Sequence, residues 1–199
     1  MVLSQVKLAD IWRAADGTFG TIIKLLILTG QRRTEIGSLR WSEIDLASRL
    51  IRLPGERCKN HQPHDVPLSE PAAAMLTAIP RLGDFVFGTA AIGFCAFADG
   101  KAALDARIAG ARQIAEPMPA WVLHDLRRSV ATHMADTGTQ PHIVEAVLNH
   151  ISGHKKGIAG VYNKAVYAVE KRAALLRWGT HVMAAVEGGA SNVRALHTA

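Results

Sequence analysis

Cysteine is nearly absent from this sequence: Cys58 and Cys95 are the only two in 199 residues. Two thiols make no disulfide framework, which points to a reducing, cytoplasmic setting. Long hydrophobic runs are missing too. The longest, residues 22–28, is interrupted by Lys24 and falls far short of the roughly 20 apolar residues that span a bilayer. Lys7 and Asp10 break up the opening segment, so it does not read as a secretory signal. There is no internal repeat and no low-complexity block. Nor is there a Ser or Cys nucleophile elbow. Cys58, His61 and His64 recur at every third position, but the fourth ligand and the paired spacing of a structural zinc site are lacking. Tyrosine occurs only twice, at Tyr162 and Tyr167.

What is present describes an ordinary globular chain. Hydrophobic residues make up 49% and charged residues 20%, enough for one full core. The formal net charge of +6 permits a polyanionic partner without demanding one. Basic residues gather at Arg32, Arg33 and Arg40, along Arg49, Arg52, Arg57 and Lys59, at Arg127 and Arg128, and at Lys155 and Lys156.

Periodicity predicts a mostly helical domain carrying a small sheet. Helices are expected over residues 3–15, with Leu3, Val6, Leu8, Ile11 and Trp12 inward, and from Thr21 to a stop at Gly30. A third is expected around Glu35 to Arg40. Residues 49–53 and 64–68 then alternate polar and apolar, as an antiparallel hairpin does, with Pro67 restricting its strand to an edge. Residues 84–87 offer a third strand. Helices follow at 70–79, 101–112, from 123 to Gly138, from a Thr139 cap to about 149, and at 165–186 with Val166, Val169, Ala173 and Leu176 inward. Residues 188–199 read as a disordered tail.

Chemistry-bearing residues concentrate late in the chain. His124 and Arg127 lie three apart, so they leave a helix from nearly the same face. Arg32 sits where one helix ends and another begins, where a guanidinium fork can hold two phosphate oxygens. Lys59 lies in the turn of the hairpin, able to reach into a groove and deliver a proton. Two arginines, a lysine, the histidines His124 and His150 and the late Tyr162 suit attack by a phenol on a phosphodiester.

The wording of these segments resembles the tyrosine recombinases of the phage integrase family. Thr29-Gly30-Gln31-Arg32-Arg33-Thr34-Glu35 with Leu39-Arg40-Trp41-Ser42-Glu43-Ile44-Asp45 looks like their first catalytic box. His124-Asp125-Leu126-Arg127-Arg128 looks like the His-x-x-Arg box, and Leu148-Asn149-His150 with Val161-Tyr162-Asn163 like the last. The likeness covers residues 25–178 and keeps the motifs in order. The wording around Lys59 and the ending of the chain resemble integrases of prophages and genomic islands.

The resemblance implies a catalytic domain over residues 1–187, without the core-binding domain that precedes it in full-length relatives. It implies Tyr162 as nucleophile, Arg32 and Arg127 as phosphate clamps, Lys59 as proton donor to the leaving oxygen, and His124 and His150 as phosphate ligands. His150 stands twelve residues before Tyr162, farther than the pattern usually places it, so His154 is its rival. Tyr167 is the rival nucleophile, expected instead to pack inside the last helix. The implied partner is double-stranded DNA, touched also by Arg33, Arg40, Arg57, Arg128, Lys155 and Lys156, with neither metal nor ATP. A homo-tetramer joined through the C-terminal helix and a place on the bacterial nucleoid follow from the same likeness. A DNA-binding remnant without turnover and a type IB topoisomerase are the competing readings.

Overall fold

The computed structural model describes residues 1–89, 91–111, 118–150 and 167–188. Its centre is a helix with almost no polar face. α2 (Gly17–Thr29) buries Phe19, Ile22, Ile23 and every residue from Leu25 to Thr29. A helix apolar on all sides must be surrounded, and α2 is packed by α1 (Gln5–Ala14), α3 (Arg33–Gly37), α4 (Glu70–Thr77), α5 (Phe97–Ala111), α6 (Leu123–Asp136) and α8 (Ala168–Glu187). α7 (Pro141–Val147) packs on α6 and α8. Among the described residues, no helix is long and apolar enough to cross a membrane.

Local chemistry sets the ends of these elements. Asp16 caps α2 by accepting from the Gly17 N–H at 2.8 Å, so the helix starts one turn before Thr21, whose hydroxyl donates back to the Gly17 carbonyl. Gly30 closes it in the left-handed region at φ 66°, donating its N–H to the Leu26 carbonyl. α3 stops at Gly37, earlier than expected, because Leu39 to Trp41 turn outward to meet residues 84–86.

The sheet is antiparallel with order β1-β2-β3. β2 (Leu50–Leu53) and β3 (His64–Pro67) form the anticipated hairpin, with Leu50 opposite Pro67 and Leu53 opposite His64. The third strand is not residues 84–87. It is β1 (Ile44–Asp45), two residues long and too short to show alternation. Residues 84–87 contribute only an isolated bridge between Arg40 and Phe85, while Val86 and Phe87 drop into the core.

α8 also lies in a different phase from the one its composition suggests. Lys171, Ala174, Leu175, Trp178 and Val182 face inward, whereas Val169 and Leu176 are exposed. Trp178 decides this. Its Nε1–H donates to the Ile27 carbonyl at 2.7 Å, one of the last-turn carbonyls of α2 that the helix cannot satisfy itself. The rings of His133 and His181 stack on the indole at 6.4 and 5.5 Å between centroids. Val6 on α1 is likewise exposed rather than inward.

Gly30 offers a direct test of this packing. A Cβ there would meet Leu148 Cδ2 at 2.7 Å and Val130 Cγ1 at 3.0 Å, on a backbone that L side chains rarely adopt. Gly30→Ala is expected to cost about 2–3 kcal/mol, read as a lower urea midpoint at unchanged m-value.

Candidate active site

Two helix C-termini meet at the site. One belongs to α2, ending at Gly30, and the other to α7, whose last turn runs into Leu148 and Asn149. The final carbonyls of a helix lack internal partners and carry the negative end of its dipole. Here they are satisfied by side chains from distant segments. Arg127 donates from Nη1 to the Gly30 carbonyl at 2.8 Å and from Nη2 to the Leu148 carbonyl. Gln31 Nε2 bridges the Thr29 and Val147 carbonyls at 2.8 and 2.9 Å. His64, from β3, meets the Val147 carbonyl from Nε2 at 3.0 Å. Asn60, in the hairpin turn, donates to the Asn149 carbonyl at 3.2 Å.

Arg32 closes the pocket from the first box. As the residue preceding α3 it pairs twice with Glu35, backbone N–H to Oε2 at 2.8 Å and Nη1 to Oε1 at 2.7 Å. Glu35 is only 2% exposed and so holds Arg32 rigidly. Arg57 braces Glu35 from behind, donating to its carbonyl at 3.0 Å while pairing with Glu43.

Electrostatics confirm that these groups share one environment. Burial pushes the Arg127 guanidinium down to about 10, the Arg32 charge pushes the same way, and Glu35 opposes both. It therefore stays cationic at neutral pH. His124 is lowered by partial desolvation and then by Arg128 and Arg127, which favours the neutral ring that accepts a proton. Glu35 is matched by Arg32, Glu43 by Arg57 and Asp125 by Arg128, which leaves the Arg127 charge as a surplus in the pocket, as an anion site requires.

The structure thus brings together Arg32, His124 and Arg127. Lys59 is exposed between Cys58, which is buried beside Arg32 and Glu35, and Asn60, which is bonded to Asn149. His150, also exposed, directly follows Asn149. Tyr162, His154, Lys155 and Lys156 lie outside the described residues. Tyr167 sits just before α8 rather than inside it, its ring 5.1 Å from that of His142 and packed on the core. Of the further basic candidates, Arg33 lies over the Phe97 ring and Arg40 over that of Phe85. Arg128 pairs with Asp125 at 2.8 Å. Arg57 is committed to Glu43 and Glu35, a bracing role that charge clustering alone did not reveal. The carbonyl-capping side chains of Gln31, His64 and Asn60 also went unnoticed in the sequence, for nothing local marks a partner some 80 or more residues away. Among the described residues, no group of His, Cys, Asp and Glu side chains is arranged to hold a metal ion, and His64 is turned to Val147 instead of Cys58.

The profile described as Phage integrase family matches residues 6–164. The chain belongs to that family. It is 34% identical over 165 residues to the prophage integrase IntZ of Escherichia coli strain K12, covering 81% of this chain and 39% of that protein. It is 33% identical over 137 residues to the tyrosine recombinase XerC of Mycobacterium bovis, covering 66% of this chain and 45% of the relative. This family member therefore spans less than half the length of these curated relatives. Among solved structures it is similar to the Tn1549 transposon integrase bound to a circular intermediate DNA, with a TM-score of 0.63 at 15% identity over 75% of this chain and 58% of that one. The XerA recombinase gives 0.59 at 20% identity over 83% of this chain and 62% of the other. These likenesses establish the fold: mainly helical, with a small three-stranded antiparallel sheet, as the tyrosine recombinase catalytic domain has.

His64 makes the assembly of this integrase-family pocket sensitive to acid. Burial, then the Lys171 charge, lowers its imidazole to about 3. The unfolded chain takes up a proton near the ordinary value of about 6.5 and the folded chain does not, so this contribution is intact above about 6.5 and is lost as pH falls toward 3. His64→Gln retains an N–H for Val147 but removes the titration. Compared with the unaltered chain in urea denaturation, it is expected to be less pH-dependent by about 1.4 kcal/mol per unit below about pH 6.5.

Proposed function

We propose that the chain is the catalytic domain, residues 1–187, of a site-specific DNA recombinase that cuts and rejoins strands through a 3′-phosphotyrosine. The observation that carries this reading is the convergence of Arg32 and Arg127 about one buried carboxylate, beside the turns that bear Lys59 and His150. Arg127 uses two of the five N–H groups of its fork on carbonyls. The guanidinium is thereby oriented before substrate arrives, the arrangement that stabilises developing charge at least reorganisation.

In the proposed reaction the Tyr162 oxygen attacks the scissile phosphorus. Its proton passes to a base, for which the neutral His124 is suited. The bond from phosphorus to the 5′-oxygen breaks as the new bond to tyrosine forms. Lys59 delivers a proton to the departing 5′-oxygen. Arg32, Arg127, His124 and His150 hold the non-bridging oxygens. The ester's free energy is retained in the phosphotyrosine until another 5′-hydroxyl attacks, so the scheme calls for neither metal nor ATP.

The relatives' DNA complexes favour double-stranded DNA as partner, with Arg33, Arg40, Arg128, Lys155 and Lys156 as further contacts and Arg57 acting from behind Glu35. A tetramer on paired sites, with α8 as the protomer contact, and a nucleoid location in bacterial cytoplasm complete the reading.

On a nicked suicide duplex spanning the element–chromosome junction, Tyr162→Phe is expected to abolish covalent protein–DNA adducts while leaving band-shift affinity nearly unchanged. Adducts that persist in Tyr162→Phe and vanish in Tyr167→Phe would move the nucleophile. Band shifts without adducts from the unaltered chain would identify a DNA-binding remnant, and relaxation of a plasmid lacking the junction would identify a topoisomerase.

A further inference from the structure

Asn60 and Asn149 form a reciprocal amide pair between two segments 89 residues apart. Asn60 Nδ2 donates to Asn149 Oδ1 at 2.8 Å, and Asn149 Nδ2 returns a bond to Asn60 Oδ1 at 3.2 Å. The surroundings fix which end of the Asn60 amide is which. Its nitrogen also meets the Asn149 carbonyl at 3.2 Å, and its oxygen accepts from the Gln62 N–H at 3.2 Å. Exchanging the two would set donor against donor and acceptor against acceptor. Asn149 adds a longer contact to the Gln62 carbonyl at 3.4 Å and holds a left-handed backbone at φ 48°.

Asn60, the residue that follows Lys59, is therefore anchored on the residue that immediately precedes His150. Lys59 itself is exposed on a turn, a placement that gives a long flexible side chain little order of its own. We propose that Asn60 and Asn149 are positioning residues that lock the Lys59 turn against the His150 turn, setting the lysine amine at the leaving oxygen. The proposal rests on the reading of Lys59 as proton donor. It assigns the pair no contact with substrate: the amides act through the backbone on which Lys59 is mounted.

A sulfur substitution separates this role from a structural one. When the scissile 5′-oxygen is replaced by sulfur, the leaving group departs as a thiolate and needs no proton, so a defect in proton delivery disappears while any other defect remains. The measurement is the single-turnover rate of adduct formation by the chain on matched nicked junction duplexes with oxygen or sulfur at that position. Asn60→Ala is expected to slow the oxygen substrate by about tenfold to a hundredfold, the usual consequence of misplacing a reacting group by about 1 Å, and to approach the unaltered rate with sulfur. Asn149→Gly, which tolerates the left-handed backbone but lacks the amide, is expected to behave alike, and the double variant to be no slower than either single one.

Lys59→Ala is the control. If sulfur fails to rescue Lys59→Ala, the reading of Lys59 as proton donor fails. If Lys59→Ala is rescued and Asn60→Ala is not, or if Asn60→Ala runs at the unaltered rate with oxygen, the positioning proposal is overturned on its own. Should Asn60→Ala fail to fold, Asn149→Gly carries the same test from the other half of the pair.

Discussion

The pocket depends on one guanidinium bridging two helix ends. Arg127 binds the carbonyl that follows α2 and the carbonyl that follows α7. A bare cation at 7% exposure would be ruinous in an apolar interior, and here two carbonyl acceptors, the negative ends of two helix dipoles and the nearby Glu35 offset its desolvation. The dependence runs both ways. Without the arginine, two buried carbonyls would be orphaned at roughly 1–3 kcal/mol apiece, and the helices that carry the first and last boxes would lose their common tie. Lysine could not replace it, since a single ammonium on a flexible stem lacks the planar fork that reaches both oxygens.

Around that tie the remaining groups are graded by how firmly they are held. Arg32 is pinned twice by Glu35, itself steadied by Arg57. His124 stands on the same helix as Arg127, one turn nearer its start. Lys59 and His150, by contrast, sit on turns, and their order is borrowed from the neighbours that flank them. The buried Arg127 and the half-buried Arg32 thus set the charge of the site, and the turn-borne members reach toward whatever occupies it.

How much of this was legible beforehand follows from the range of each interaction. The helices announced themselves through apolar spacing, and the β2–β3 hairpin through alternation around turn residues. The three boxes were visible because each is made of short local runs that keep their order along the chain. What stayed hidden was either too short or too distant. β1 has two residues, below the length at which alternation means anything. The inward face of α8 was misjudged because Val169 and Leu176 look like core, whereas Trp178 reaching the Ile27 carbonyl fixes the rotation from 151 residues away. Arg57 looked like one more basic residue, and only its contacts with Glu43 and Glu35 reveal it as a brace. The carbonyls that receive Gln31, His64 and Asn60 leave no trace in sequence at all.

The bond from Trp178 to Ile27 carries a consequence for how the chain holds together. It places the last described helix among the caps of the central one, a single turn from the carbonyl that Arg127 grips. Peeling α8 away would strip an indole from α2 and expose a backbone acceptor deep in the interior, so loosening at the far end of the sequence would be felt at the floor of the pocket. Melting of the two should be one event. A chain cut short ahead of Ala168 would forfeit the integrity of its own middle.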